Sequence, residues 1–154
     1  MEAAIKRILP HSTEAEQAVV GAMLMDKDAI MVAAEMLTGE DFYQSAYGML
    51  FDAMVELFQA GKPVDLITLQ EHLKEKNAPP EISGLEFARE LLVNAQTSAN
   101  IKYYAKIVKD NSMRRRLIRL NEEIENECYA GKESIDTVMD MTEKKVFDLL
   151  STRG

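Results

Sequence analysis

The chain has 154 residues, of which 47% are apolar and 29% charged, with a single cysteine and a net charge of −8. This length is enough for one compact core with an appendage, and the composition excludes a disordered chain. No apolar run reaches about 18 residues, which excludes a membrane span, and one cysteine excludes an internal disulfide, so we expect a reducing, cytoplasmic location.

The charge is unevenly distributed along the chain. Residues 1–100 hold 7 basic and 16 acidic side chains, whereas residues 101–154 hold 11 basic and 10 acidic ones. An acidic first part disfavours non-specific binding to nucleic acid, because phosphate contacts need Lys and Arg. The change near residue 100 suggests two sub-regions.

Apolar residues at helical spacing predict an all-α chain. Thr13 and Glu16 fit a capping box for the first helix, and a second helix is expected at residues 28–36. Ser45 and Asp65 are the expected caps of the third and fourth helices.

A rigid break, Asn-Ala-Pro-Pro at residues 77–80, precedes a fifth helix. Ser83 and Glu86 fit a second capping box at the start of this helix. Thr97 or Ser98 is then expected to cap the longest helix of the chain.

The longest predicted helix spans residues 100–128, which contain neither Gly nor Pro. At about 1.5 Å per residue it is ~43 Å long, more than the preceding chain can bury, so part of it is expected to protrude and to need a partner. Ser134 is the expected cap of a last helix, and the short turn at residues 130–132 makes the two helices antiparallel neighbours.

The expected architecture is a compact head of about five short helices followed by a protruding antiparallel two-helix hairpin. Residues 1–10 are predicted to be a flexible N-terminal arm, residues 11–108 the helical head and residues 109–154 the hairpin.

No group of side chains in the sequence is typical of a catalytic site. His11 and His72 lack the spacing of metal ligands, and Cys128 lies on an apolar stripe. A G-x-x-x-x-G-K-S/T phosphate loop is missing from the sequence. We therefore expect no catalytic residue, no metal site and no cofactor in this chain.

Seven basic residues and one acid lie between Lys102 and Arg119. Three interpretations remain open for this basic stripe. It could contact phosphates as part of a nucleic-acid-binding domain, form a solvated face with ion pairs to the acidic residues that follow, or pair with an acidic surface of a neighbouring subunit. Nucleic-acid binding by residues 102–119 is the alternative function.

Several short motifs follow one another along the chain. They are L-P-H-S at 9–12, E-A-E-Q-A-V at 14–19, D-F-Y at 41–43, G-K-P-V-D-L-I-T-L at 61–69, S-A-N-I at 98–101 and Y-A-K-I-V at 104–108. In this order and spacing they resemble the N-terminal domain of bacterial replicative DNA helicases of the DnaB type. The resemblance covers about residues 7–150.

This resemblance implies a non-catalytic collar domain. In the family the hairpins pair, three pairs form a collar on the hexameric ring as a trimer of dimers, and the collar binds the C-terminal domain of primase. The resemblance implies a helicase loader as a further partner, weak or no direct DNA binding, and no membrane contact. ATP and Mg²⁺ would belong to a motor domain beyond residue 154. Residues 109–154 would form the start of the linker to that domain.

The helix faces and the resemblance together single out two groups of residues. Those expected to mediate self-association are Leu117, Leu120, Ile124, Val138, Thr142 and Val146. Those expected to contact primase are Phe87, Tyr104, Ile118 and Ile124, with Arg115 and Arg116 as electrostatic contacts. For each apolar residue the alternative is packing within the chain itself.

Overall fold

The computed structural model describes residues 8–95 and 98–152. Within these ranges the chain has eight α-helices, one 3-10 turn and no strand, which confirms the all-helical fold class. The helices are α1 Thr13–Met25, α2 Lys27–Met36, α3 Ser45–Gln59, α4 Leu66–Glu75, α5 Pro80–Ser83, α6 Leu85–Asn94, α7 Ile101–Ala130 and α8 Ile135–Ser151, and the 3-10 turn is Gly39–Asp41.

The first helix begins differently from the prediction. Ser12 is the N-cap of α1, and its side chain accepts a hydrogen bond from the Ala15 amide at 3.1 Å. The predicted capping box of Thr13 and Glu16 is therefore wrong. Glu16 is instead buried, and its carboxylate accepts hydrogen bonds from two backbone amides that follow the 3-10 turn, at residues 43 and 44.

Two predicted caps are confirmed. The Asp65 side chain accepts a hydrogen bond from the Thr68 amide at 2.8 Å and caps α4. The Ser134 side chain accepts one from the Thr137 amide at 3.2 Å and caps α8. Short polar side chains at these positions satisfy amides that have no partner inside the helix.

The other predicted caps need correction. Ser45 is the first residue of α3, whose N-cap is Gln44. Ser83 ends α5 and is buried, while Gly84 caps α6, so the second capping box is wrong. The extra helix α5 arises because Pro80 occupies its first turn, where proline fits a helix. Thr97 lies outside the described residues.

The chain divides into two compact units. The head unit is His11–Ser112, and the hairpin unit consists, among the described residues, of 8–10 and 113–152. Residues 1–7 of the predicted arm lie outside the described part of the chain. α7 contributes residues 101–112 to the head unit and residues 113–130 to the hairpin unit.

The head unit is built on an aliphatic core. Its least exposed side chains come from α1, α2, α3, α4 and α7, and include Val19, Ile30, Leu50, Leu69 and Ala105, all 0% exposed. Removing this apolar surface from water supplies most of the free energy of folding of the unit.

The hairpin unit is an antiparallel helix pair. Lys145 of α8 reaches Glu123 of α7, and Thr152 near the end of the chain reaches Met113. Since later residues of α8 meet earlier residues of α7, the two helices run in opposite directions. The turn between them contains Gly131, whose φ of 62° suits a residue without a Cβ.

Candidate interaction surfaces

A narrow seam joins α7 and α8 in the hairpin unit. A groove of about 280 Å³ runs along it, lined by Arg116, Arg119, Leu120, Glu123, Lys145, Asp148 and Leu149. Lys145 Nζ donates to Glu123 Oε1 at 2.7 Å, but both side chains are exposed, so this pair adds at most about 1 kcal/mol. The seam therefore rests mainly on partly buried aliphatic side chains.

The outer side of α8 exposes large apolar side chains. Val138 is buried at 6% exposure, whereas Ile135 is 67%, Met139 64% and Phe147 69% exposed. Ile135 and Met139 are four residues apart and so share one face of the helix. We refer to Ile135, Met139, Phe147 and the 45% exposed Leu150 as the outer α8 residues.

A second groove lies between α7 and residues 8–10 of the same unit. It encloses about 560 Å³ and is lined by Ile8, Leu9, Leu117, Ile118, Asn121, Glu122 and Glu125. We call this the arm groove. Its apolar side chains come from both walls, and its two acidic side chains both come from α7.

Arg115 fixes the end of this arm. Its side chain is only 3% exposed, and Nη1 donates a hydrogen bond to the Pro10 carbonyl at 2.8 Å. A buried guanidinium is costly unless its donors are used, so this bond ties Pro10 to α7. Arg115 is thus a buried side chain that holds the arm and not an exposed charge.

Two of the predicted primase contacts belong to the head unit. Phe87 is half-buried and stacks on Tyr47, with ring centroids 6.0 Å apart. The Tyr47 hydroxyl in turn accepts a hydrogen bond from Gln17 at 2.8 Å. Tyr104 is likewise half-buried against the head core. Both residues therefore have a packing role and expose only part of their rings.

A buried carboxylate organises the head unit around the 3-10 turn. Asp41 is 0% exposed and accepts hydrogen bonds from the Thr38 amide at 2.8 Å and the Ser112 hydroxyl at 2.7 Å. Lys109 Nζ lies 3.6 Å from it. These contacts join the turn to the first part of α7.

A charged network links α3 to α4 on the surface of the head unit. Glu56 lies 2.7 Å from the His72 ring and 3.0 Å from Lys76 Nζ. Desolvation acts to raise the pKa of Glu56, but the hydrogen bonds from His72 and Lys76 outweigh it and lower the pKa below its ordinary value. His72 is therefore partly buried and engaged in this network.

The described side chains offer no place for a metal ion, since no three His, Cys, Asp or Glu residues among them cluster suitably. Cys128 is free and exposed near the end of α7. None of the helices in the described ranges combines the length and apolar content that crossing a membrane requires. Among the described residues, the surfaces that could contact a partner include the two grooves and the outer α8 residues.

A family model described as the DnaB-like helicase N-terminal domain matches residues 8–110. The chain belongs to this family. The DnaB replicative helicase of Geobacillus stearothermophilus is 40% identical over 144 residues, which are 94% of this chain and 32% of that relative. The chain therefore spans about a third of the length of the curated relatives that it matches.

Solved DnaB structures share the fold. The crystal structure of the DnaB N-terminal domain from Mycobacterium tuberculosis has a TM-score of 0.84 and 33% identity, covering 91% of this chain and 99% of that one. The DnaB N-terminal domain from Helicobacter pylori, described together with its interactions with primase, has a TM-score of 0.66 and 20% identity, covering 75% and 89%. At that identity the second likeness concerns the fold alone.

The side chains expected to pair DnaB hairpins differ in exposure. Leu117 is 51% exposed, while four others are half-buried, namely Leu120, Ile124, Thr142 and Val146. Val138 is buried within the hairpin unit. Among the expected primase contacts, Ile118 is 36% exposed and lines the arm groove with Leu117, whereas Arg116 is half-buried and lines the seam.

At least three of the seven basic residues in the stripe 102–119 of this DnaB-family domain make contacts within the chain. Lys106 pairs with Asp110 at 3.0 Å, Lys109 approaches Asp41, and Arg115 donates to Pro10. These contacts favour ion pairing over phosphate contact, because a cation already hydrogen-bonded gains less from a phosphate.

Sequence reasoning missed the outer residues Met139 and Phe147. Their neighbours Val138 and Val146 continue the three-four apolar spacing of α8, and this spacing does not include the bulkier side chains beside them. The sequence does contain a signal for them. With Met139 and Phe147 included, the apolar face of α8 is wider than one packed helix can cover.

Proposed function

We propose that this chain works as an assembly and docking domain of a replicative DNA helicase, pairing with a second copy of itself and binding the C-terminal domain of primase. The single observation that carries the proposal is the apolar surface of the hairpin unit, above all the outer α8 residues. On this proposal the domain acts in the cytoplasm as a scaffold and has no catalytic role.

Self-association is supported by the size of the uncovered apolar surface. Ile135, Met139 and Phe147 are each about two-thirds exposed, and burying such a side chain in full contributes roughly 1.5–3 kcal/mol. A two-fold pair places the same patch on both partners, so each side chain contributes twice. We extend the proposed pairing surface from Leu117, Leu120, Ile124, Thr142 and Val146 to the outer α8 residues.

The pairing test compares two exposed apolar-to-acidic changes. Met139→Asp is expected to weaken self-association by about 100-fold, which corresponds to roughly 2.7 kcal/mol, as measured by sedimentation velocity over a concentration series. Ile67→Asp is the matched control, because Ile67 is 70% exposed but lies on α4 of the head unit. Equal weakening by both variants, or a strictly monomeric parent chain at high concentration, would count against pairing through α8.

Primase docking is supported by the family and by the exposed apolar residue Ile118 of α7. The proposed contacts are Ile118, Ile124 and Arg116 in the hairpin unit. In the head unit they are the exposed parts of Phe87 and Tyr104. Arg115 contributes to docking indirectly, because it holds residues 8–10 against α7. In the full helicase we propose that three hairpin pairs form the collar, and that a loader competes for or shares its surface.

The docking test is a calorimetric titration of the chain with the C-terminal domain of primase. Ile118→Asp is expected to weaken binding by about tenfold or more, since a charge replaces an apolar contact. Val93→Asp, a change at a 76% exposed apolar position of α6, is the matched control. If primase binds the parent chain and the Ile118→Asp variant equally well, docking at this part of α7 is wrong.

A further inference from the structure

We infer that the arm formed by residues 8–10 is one wall of a docking groove, and that the groove accepts a large apolar side chain flanked by Lys or Arg from a helix of a partner protein. This inference rests on the proposed docking function and adds the arm, the acidic rim and the chemistry of the partner to it. The groove is the arm groove described above.

The apolar lining of the groove is open to a partner. Ile8 on the arm is 66% exposed, and Leu117 and Ile118 on α7 are 51% and 36% exposed. All three line the same space of about 560 Å³. That volume lies within the range of ~300–1,000 Å³ that is typical of binding pockets, so it has room for more than one side chain.

The rim of the groove is acidic on the α7 side. Glu122 and Glu125 line it together with the polar Asn121. An apolar patch rimmed by carboxylates suits a partner that carries basic residues beside its apolar ones, because complementary charge raises the rate and specificity of association. A partner with acidic flanks would be repelled by the same two side chains.

The arm wall is held in place by Arg115. Its Nη1 donates to the Pro10 carbonyl at 2.8 Å, and the ring of Pro10 restricts the backbone at that point. A groove with a fixed wall binds more tightly than one whose wall must be ordered on binding. Arg115 is therefore a positioning residue for the groove and does not itself touch the partner.

The first experiment measures binding of the primase C-terminal domain to this chain. Ile8→Asp is expected to weaken binding by about tenfold, and the double variant Glu122→Lys/Glu125→Lys to weaken it and to reverse its salt dependence. Glu133→Lys is the matched control, because Glu133 is exposed in the turn before α8 and does not line the groove.

The second experiment uses designed peptides and does not depend on primase. The probes are two fluorescent amphipathic helices with the same apolar face, one flanked by Lys and the other by Glu. The parent chain is expected to bind the Lys-flanked helix at least about tenfold more tightly, and Ile8→Asp is expected to weaken that binding. No preference between the peptides, or no effect of Ile8→Asp, would overturn the inference.

The two experiments separate the groove from the proposed function. A chain that ignores primase but keeps its peptide preference would refute primase docking and leave the groove standing. We expect Arg115→Ala to weaken peptide binding as much as Ile8→Asp does. Combining Arg115→Ala with Ile8→Asp is expected to cause no further loss, and Arg115→Lys is expected to restore binding in part. Additive losses would contradict the positioning role.

Discussion

The head unit and the hairpin unit differ in how many apolar side chains they bury. The head unit buries residues from six of its helices at 6% exposure or less, with examples such as Val20, Phe51 and Val108. In the described part of the hairpin unit, Val138 is the only buried apolar residue, while Met139 and Phe147 are about two-thirds exposed. The head is therefore stabilised by its own core, whereas the pairing proposed above would cover the exposed apolar surface of the hairpin.

Both units bury charged groups that are hydrogen-bonded, carboxylates in the head unit and the Arg115 guanidinium in the hairpin unit. Glu16 and Asp41 of the head unit are at most 1% exposed and accept hydrogen bonds from backbone amides. No buried side-chain nitrogen or oxygen in the described ranges lacks a hydrogen-bond partner. Such satisfied buried groups specify one arrangement of a core, which suits a domain that must present its surfaces in a fixed geometry.

The largest expected effect compares two phenylalanines, one in each unit. Phe51→Ala removes a ring that is 2% exposed in the head core, and we expect it to lower the free energy of unfolding by about 3–5 kcal/mol. Phe147→Ala removes a ring that is 69% exposed on α8, and we expect a change within about 0.5 kcal/mol. Urea denaturation at a concentration that favours the monomer measures both.

The contrast fails if the two variants are equally destabilised. That result would mean that α8 is covered in the monomer and that its apolar side chains are not available for pairing. A loss for Phe147→Ala that grows with protein concentration would instead be expected from a dimer, because self-association stabilises the folded state by mass action.

Most of the fold could be predicted from the sequence, because apolar spacing and capping residues are local signals. Asp65 and Ser134 each have a short side chain that accepts a hydrogen bond, and each precedes a segment with apolar residues at helical spacing. The helices α4 and α8 begin directly after them. The prediction failed at Glu16 for a physical reason. The partners of its carboxylate lie 27 and 28 residues later in the chain, and no local pattern reveals a contact over that distance.

A buried carboxylate gives the next largest effect. Asp41→Ala deletes the acceptor of bonds from Thr38 and Ser112, and hydrogen bonds to charged groups contribute about 1.5–3 kcal/mol each before relaxation. We expect a loss of roughly 2–4 kcal/mol in thermal or urea unfolding. Asp110→Ala is the control, since Asp110 forms an exposed pair with Lys106 worth about 0.3–0.5 kcal/mol.

If Asp41→Ala and Asp110→Ala cost the same, the bond between the 3-10 turn and α7 does not stabilise the head unit. A loss confined to Asp41→Ala, with Asp41→Asn intermediate, is the expected order. The amide of Asn keeps an acceptor for one donor but loses the charge that faces Lys109.

The head unit is also expected to show a measurable dependence of stability on pH. The pKa of Glu56 is lowered overall, because the hydrogen bonds from His72 and Lys76 outweigh the opposing effect of burial. Its contribution is therefore present above its unfolded pKa and lost as pH falls through the lower folded pKa. The pKa of Asp52 is raised, chiefly by burial, so its contribution is present below its unfolded pKa and lost as pH rises through the folded one.

These opposite signs can be separated by two variants. Glu56→Gln is expected to make the rise in unfolding free energy between about pH 3 and pH 6 shallower, and Asp52→Asn to make it steeper. Chemical denaturation at a series of pH values measures both slopes. Slopes that change in the same direction would show that the network around α3 is not responsible.

The candidate surfaces were less predictable than the fold. Helical spacing located the apolar stripes of α7 and α8 but gave no means to decide which members the partner helix covers. Val138 and Met139 are adjacent in sequence, yet one is 6% and the other 64% exposed. The arm groove could not be predicted from the sequence either, because it depends on the hydrogen bond from Arg115 to Pro10, which lie 105 positions apart.

The smallest expected effect concerns the charge contact across the hairpin seam between Lys145 and Glu123, at 2.7 Å. A double-mutant cycle with Lys145→Met and Glu123→Gln is expected to give a coupling of about 0.2–1 kcal/mol at low salt, which falls at high salt. Hydrogen exchange of α8 amides measures it, because local opening of a weakly packed helix precedes global unfolding. A coupling of several kcal/mol that also slows exchange in the head core would mean that the hairpin is held as firmly as the head, and the contrast between the two units would be lost.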